Sequence, residues 1–134
     1  MFEIGLARLA AEKATQRDIE TLREVLNANG RAIADHSEFM RTDIQFHYAI
    51  ASIPGNSIFT SMYNAVVEWL VEQPEMSGPS PQAGRAAYAA HSRIFNAIEA
   101  HDQAAAQSAM QAHLEQVARF YWNAKRSRRR PKGG

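Results

Sequence analysis

The sequence predicts an all-α fold, an antiparallel helical bundle, on three observations. Apolar residues recur at three- and four-residue intervals along nearly the whole chain. Strand signals are missing, with no β-branched alternation and no Asn-Gly or Asp-Gly hairpin turn. The connections are short, which favours antiparallel neighbours. At 134 residues the chain is long enough for one domain with a substantial core of its own.

A first helix is expected over about 2–13, with Ile4, Leu6, Leu9 and Ala10 as its apolar positions. Thr15 and Asp18 then have the spacing of a capping box, with an acid at the third helical position. They open a second helix over about 16–34, which points Ile19, Leu22, Val25, Leu26 and Ile33 inward. Asn29-Gly30 weakens that helix and is a place for it to kink or end. A third helix runs over about 37–52 with Ser37 as its cap, and stops at Pro54-Gly55. Asn56 caps a fourth that reaches about Glu72. Gln73 to Gly84 contains Pro74, Gly78, Pro79, Pro81 and Gly84, and is expected to be an irregular loop. A fifth helix covers about 85–100, and Asp102 caps a sixth that reaches about Lys125.

Three of these helices carry ionisable residues on their apolar faces. On the third, Phe39, Asp43, Phe46, His47 and Ile50 share one stripe. On the fifth, Tyr88, His91, Ile94, Phe95 and Ile98 do so, and on the sixth, Ala106, Met110, His113, Val117 and Phe120. His91 and His113 are each eleven residues from Asp102. In an antiparallel hairpin they therefore stand at the same height, about 16 Å from the turn at the usual helical rise. Asp43 and His47 lie one turn apart and add two groups from a third helix. Burying three imidazoles and a carboxylate without partners is costly, and a divalent cation satisfies all four at once. Three nitrogens and one oxygen suit a divalent transition metal, Zn or Ni first and Mn, Co or Fe as well. Taken singly, each histidine is an ordinary hydrogen-bonded core residue, and Asp43–His47 an ordinary intrahelical pair. Four at compatible heights favour the metal. His36 and His101 lie at helix ends, outside the stripes, and are assigned to solvent or capping.

The run Asp43-Ile-Gln-Phe-His47-Tyr-Ala-Ile, followed by Pro54-Gly55-Asn56, resembles a segment of the FCD domain, the C-terminal effector-binding domain of FadR-type GntR transcription regulators. The likeness continues through His91-Ser-Arg-Ile-Phe-Asn-Ala-Ile98, Asp102 with the alanines after it, and Met110-Gln-Ala-His113-Leu114. It extends to the early stretch that begins at Leu9, and covers about residues 2–122. The resemblance implies an antiparallel bundle of six to seven helices. It implies that Asp43, His47, His91 and His113 bind the cation, and that a small carboxylate effector sits beside or on the metal. It also implies a homodimer whose winged helix-turn-helix domains bind DNA, with the effector altering how the dimer presents them. Nothing before residue 43 reads as a recognition helix with its wing, so DNA contact is expected only through a domain outside this segment. The family's upstream Arg, which helps hold the effector carboxylate, is also not seen before Glu3. Tyr88, three residues before His91, is the polar candidate for the effector, set against a plain role as a core tyrosine.

Composition narrows the function classes. There is no Cys, which excludes a disulfide framework, a thiolate zinc site and a cysteine nucleophile. Mean hydropathy is −0.40. No apolar run approaches the roughly 18 residues of a membrane span, and no signal peptide is visible, so the cytoplasm is the expected location. Residues 1–124 carry a balance of −5 and residues 125–134 one of +6. The division is therefore a helical metal- and effector-binding domain over 1–124 and a basic, disordered tail over 125–134. Two other functions compete with this reading. A metal-dependent enzyme of the bundle type is disfavoured, because the stripes hold no spare carboxylate or Lys to act as a general base. A helical dimerisation module with structural histidines is the other, with Trp69 and Trp122 as candidate interface residues.

Overall fold

In a computed structural model the described residues are 2–71 and 80–129, with side chains described for most of them. Six helices account for nearly all of these residues: α1 (Phe2–Lys13), α2 (Gln16–Arg31), α3 (His36–Ser52), α4 (Ser57–Val71), α5 (Pro81–Glu99) and α6 (Gln103–Arg129). Helix α1 follows the expected bounds, and the Thr15–Asp18 capping box at the start of α2 is formed in both directions.

Four boundaries depart from expectation. Helix α2 ends at Arg31, three residues short of 34, where the Ala32 amide donates to the Asn29 carbonyl. Helix α3 is capped by Asp35, not Ser37, because the Asp35 carboxylate accepts from the Glu38 amide at 3.2 Å. Helix α5 starts four residues early, at Pro81. Ser80 caps it by accepting from the Ala83 amide, and proline at the first helical position gives up no hydrogen bond. The part of the expected loop over 72–79 lies outside the described residues. Helix α6 runs to Arg129, so residues 125–129 of the basic segment continue it, and 130–134 lie outside the described residues.

The turn between α5 and α6 is a Schellman motif. The Asp102 amide donates to the Ala97 carbonyl and the His101 amide to that of Ile98, while His101 takes a left-handed φ of 55°. Histidine replaces the usual glycine there, and its Nδ1–H donates to the Ala11 carbonyl at 2.9 Å. His101 thus ties the hairpin to α1, a role beyond solvation or capping. His36 is exposed, as expected.

Helix α6 packs against both α5 and α1, α2 lies across α3 and α5, and α4 rests on α3. Alanines of α1 (Ala7, Ala10, Ala11) allow close approach to a core of Leu22, Phe46, Ile50, Ile94, Ile98 and Met110. Leu6, Ala51 and Tyr63 form a smaller cluster beneath α4. Gly30 lies against Tyr88, and a β-carbon there would stand 2.7 Å from the ring, which would have to shift. The α6 stripe is only half correct: Ala106, Met110 and His113 are buried, but Val117 and Phe120 are exposed. Glu3, at the start of α1, meets the bundle near the level of His113, and α6 runs on past it. The side chains of Trp69 and Trp122 lie outside the described residues.

Candidate metal centre

Four residues on three helices converge where α3 crosses the α5–α6 hairpin. Each of Asp43, His47, His91 and His113 offers one ligand atom, and the four atoms lie within 4.8 Å of one another. The hairpin brings His91 and His113 together edge-on, with ring centroids 4.7 Å apart and planes at 75°. Helix α3 supplies the other two from one face. Asp43 Oδ1 is 3.1 Å from His91 Nε2 and 3.3 Å from His47 Nε2. His113 Nε2 is 3.3 Å from His47 Nε2. His47, His91 and His113 are 8%, 0% and 3% exposed, whereas the Asp43 side chain is 33% exposed, so the cluster opens to solvent on the carboxylate side.

Buried ionisable groups set the electrostatics of the cluster. Asp43 Oδ1, His91 Nε2 and His113 Nδ1 are buried with no hydrogen-bond partner among the described residues. Groups of this kind are normally satisfied, and leaving one bare costs about 1–3 kcal/mol. Burial opposes a charge on His47, but the carboxylates of Asp43 and Glu3 outweigh it and push its pKa up to about 10. Burial also opposes the Asp43 carboxylate, and the close imidazoles of His47 and His91 override that, holding it well below the usual range. His113 is pushed down to about 3 by burial and by the neighbouring His47 and His91. Burial lowers His91 too, against the pull of Asp43. Two neutral imidazoles and a carboxylate therefore surround one imidazolium, an arrangement whose proton a divalent cation would replace. The donor set of three nitrogens and one oxygen fits such an ion.

Two contacts behind the cluster were not anticipated. Glu3 of α1 stands 2.8 Å from His47 Nδ1, and Asn29 of α2 places Oδ1 2.9 Å from His91 Nδ1. Glu3 is visible only through a long-range contact that the sequence does not encode locally. Asn29 did carry a signal. It follows Leu22 and Leu26 on the apolar face of α2, a polar intrusion of the same kind as the histidines, but Gly30 beside it reads as a helix end. Tyr88 packs its ring against Gly30, one turn from His91. A separate groove along α2, α3 and α4, lined by residues that include Val25, Ile44, Tyr48 and Tyr63, includes none of the four.

The FCD domain family matches this chain over residues 1–116. A relative named HTH-type transcriptional repressor NanR, from Enterobacter sp. (strain 638), is 37% identical over 119 residues, 87% of this chain and 46% of the relative. The chain thus spans about half the length of the curated relatives it matches. Among solved structures, Streptococcus agalactiae GntR superposes with a TM-score of 0.72 at 23% identity, over 88% of this chain and 53% of that one. E. coli McbR/YncC gives 0.75 at 17% identity, over 92% and 60%. At these identities the two structures establish the fold. Among the described residues no helix is long and apolar enough to cross a membrane.

Proposed function

The chain belongs to the FCD domain family of GntR-type transcription regulators, and we propose that it is a ligand-sensing domain that binds a divalent metal and a small organic acid. The observation that carries this reading is the buried, unpartnered pair Asp43 Oδ1 and His91 Nε2, in a set with His47 and His113 whose ligand atoms lie within 4.8 Å of one another. Asp43, His47, His91 and His113 would hold the cation. The metal would supply a positive charge with coordination positions left for a carboxylate. Partial exposure of Asp43 is what supports access for the acid. Tyr88 is the candidate second contact, on the His91 stripe one turn away.

Sensing in this scheme needs no bond making. An acid that ligates the metal touches α3, α5 and α6 at once, and favours whichever arrangement of them it binds more tightly. In the longer regulators to which the chain is related, that choice would be passed to winged helix-turn-helix domains on DNA. We place the protein in the cytoplasm as a homodimer, for which exposed Val117 and Phe120 offer apolar surface. The relative compared is named as a repressor, which supports a regulator over an enzyme.

The test is metal analysis of protein purified without chelator, followed by a carboxylate panel read by thermal shift with turnover followed by mass spectrometry. Near-stoichiometric metal, lost in His113→Ala, is expected, together with a shift for a subset of acids that requires the metal and shows no turnover. Metal-free protein that gains no stability from Zn or Ni would remove the metal. Turnover of an acid would favour the enzyme instead.

A further inference from the structure

Behind His91 lies a buried polar chain that belongs to neither the ligand set nor the apolar core. Asn29 is 0% exposed and Thr42 is 1% exposed. Asn29 Nδ2 donates to Thr42 Oγ1 at 3.0 Å, and Asn29 Oδ1 faces His91 Nδ1 at 2.9 Å. Three helices, α2, α3 and α5, are joined through these atoms.

The direction of the chain is fixed from its far end. The Thr42 hydroxyl lies 2.8 Å from the Glu38 carbonyl oxygen and 3.1 Å from that of Phe39. Carbonyl oxygens only accept, so the hydroxyl hydrogen goes to them, and Thr42 Oγ1 has lone pairs alone to offer Asn29. The amide must then turn its NH2 group to Thr42 and its carbonyl to His91. That carbonyl again only accepts, so His91 carries a hydrogen on Nδ1. In the neutral ring, Nε2 is left as a bare lone pair. This atom lies buried without a hydrogen-bond partner, 3.1 Å from Asp43 Oδ1.

We propose that Thr42 and Asn29 form a tautomer lock that keeps His91 Nε2 free to ligate a divalent cation. The inference rests on the reading of the cluster as a metal centre. Asn29 is a positioning residue, acting through His91. Without the lock the ring hydrogen would move to Nε2, where Asp43 Oδ1 is placed to accept it. The resulting Asp43–His91 hydrogen bond would occupy two of the four ligand atoms and compete with the cation. Loss of an outer partner of this kind lowers metal affinity about 10- to 100-fold.

The experiment uses the full chain, with Asn29→Leu to remove the amide at similar volume and Asn29→Asp to keep an acceptor facing Nδ1. Nitrogen NMR of the metal-free protein reports which ring nitrogen of His91 holds the hydrogen, and competition with a chromophoric chelator reports zinc affinity. The wild type is expected to show the Nδ1–H form. Asn29→Leu should show the Nε2–H form and bind zinc about 10- to 100-fold more weakly, with Asn29→Asp restoring both. Thr42→Val frees the amide to flip and should act in the same direction. It keeps the question answerable if Asn29→Leu does not fold. An Nε2–H tautomer in the wild type would overturn the lock, as would zinc affinity equal in wild type, Asn29→Leu and Thr42→Val. A wild type that holds the Nδ1–H form but binds no zinc overturns the metal-centre reading, and with it the purpose assigned to the lock.

Discussion

Leu22, Ile50, Ile98 and Met110 form a layer in which each residue is at most 1% exposed and nothing polar asks for a partner. One to three turns along the same helices, Asp43, His47, His91 and His113 fill the equivalent space with four ionisable groups and three bare polar atoms. The stripes that build both layers share α3, α5 and α6, and α2 adds Leu22 to the apolar one. The apolar layer is stabilised by removal of hydrocarbon from water, whatever the solution contains. The polar layer is stable only to the extent that a proton or a cation satisfies it. One bundle therefore has an unconditional half and a conditional half.

The largest effect should come from the unconditional half. Ile98→Ala removes three carbons from a fully buried site and is expected to cost about 2–5 kcal/mol. Denaturant unfolding with and without zinc should give the same loss. A loss that changes with zinc would mean that the two layers are not energetically separate.

Metal addition should come next, and act only on the conditional half. Zinc at 100 times its dissociation constant should stabilise the folded chain by about 2.7 kcal/mol. His113→Ala should abolish that gain. In metal-free protein the same substitution should cost less than Ile98→Ala, since it also removes a buried nitrogen that lacks a partner. A melting temperature that rises with zinc in His113→Ala as in the wild type would remove His113 from the ligand set.

The two layers were not equally legible. Three- and four-residue spacing sufficed for the apolar layer and for all four members of the cluster, because both depend on which face of a helix a residue occupies. Asn29 and Glu3 were missed for different reasons. Asn29 sits on a buried face but beside a glycine, and that glycine is there to admit the Tyr88 ring, a tertiary cause that mimics a local one. Glu3 reaches His47 across 44 positions, and no local pattern encodes such a pairing. Pro81 was read as a breaker although it opens α5, since one residue type serves both ends of the rule and only the Ser80 cap decides. Val117 and Phe120 continue the stripe but are exposed, because periodicity reports a shared face and not what covers it.

The sharpest test of the comparison is the dependence on pH of the metal-free protein. His113 has a folded pKa of about 3 against an ordinary value of 6.5. Below pH 6.5 the unfolded chain takes up a proton that the folded chain refuses, so stability falls as pH drops from 6.5 towards 3. His91, also lowered, adds to the same slope. His47 has the opposite sign: with a folded pKa of about 10, its contribution is full below 6.5 and is lost as pH rises to about 10. The two slopes do not overlap, and they meet at the ordinary histidine value. The melting temperature of chelator-treated protein should therefore peak near pH 6.5. Zinc must displace the His47 proton, so loading should remove the alkaline slope and leave a plateau above the peak. Ile98→Ala should lower the whole curve without moving its maximum, while His47→Gln should remove the alkaline slope without any metal. A peak that stays in place in His47→Gln would place the titrating group elsewhere in the chain.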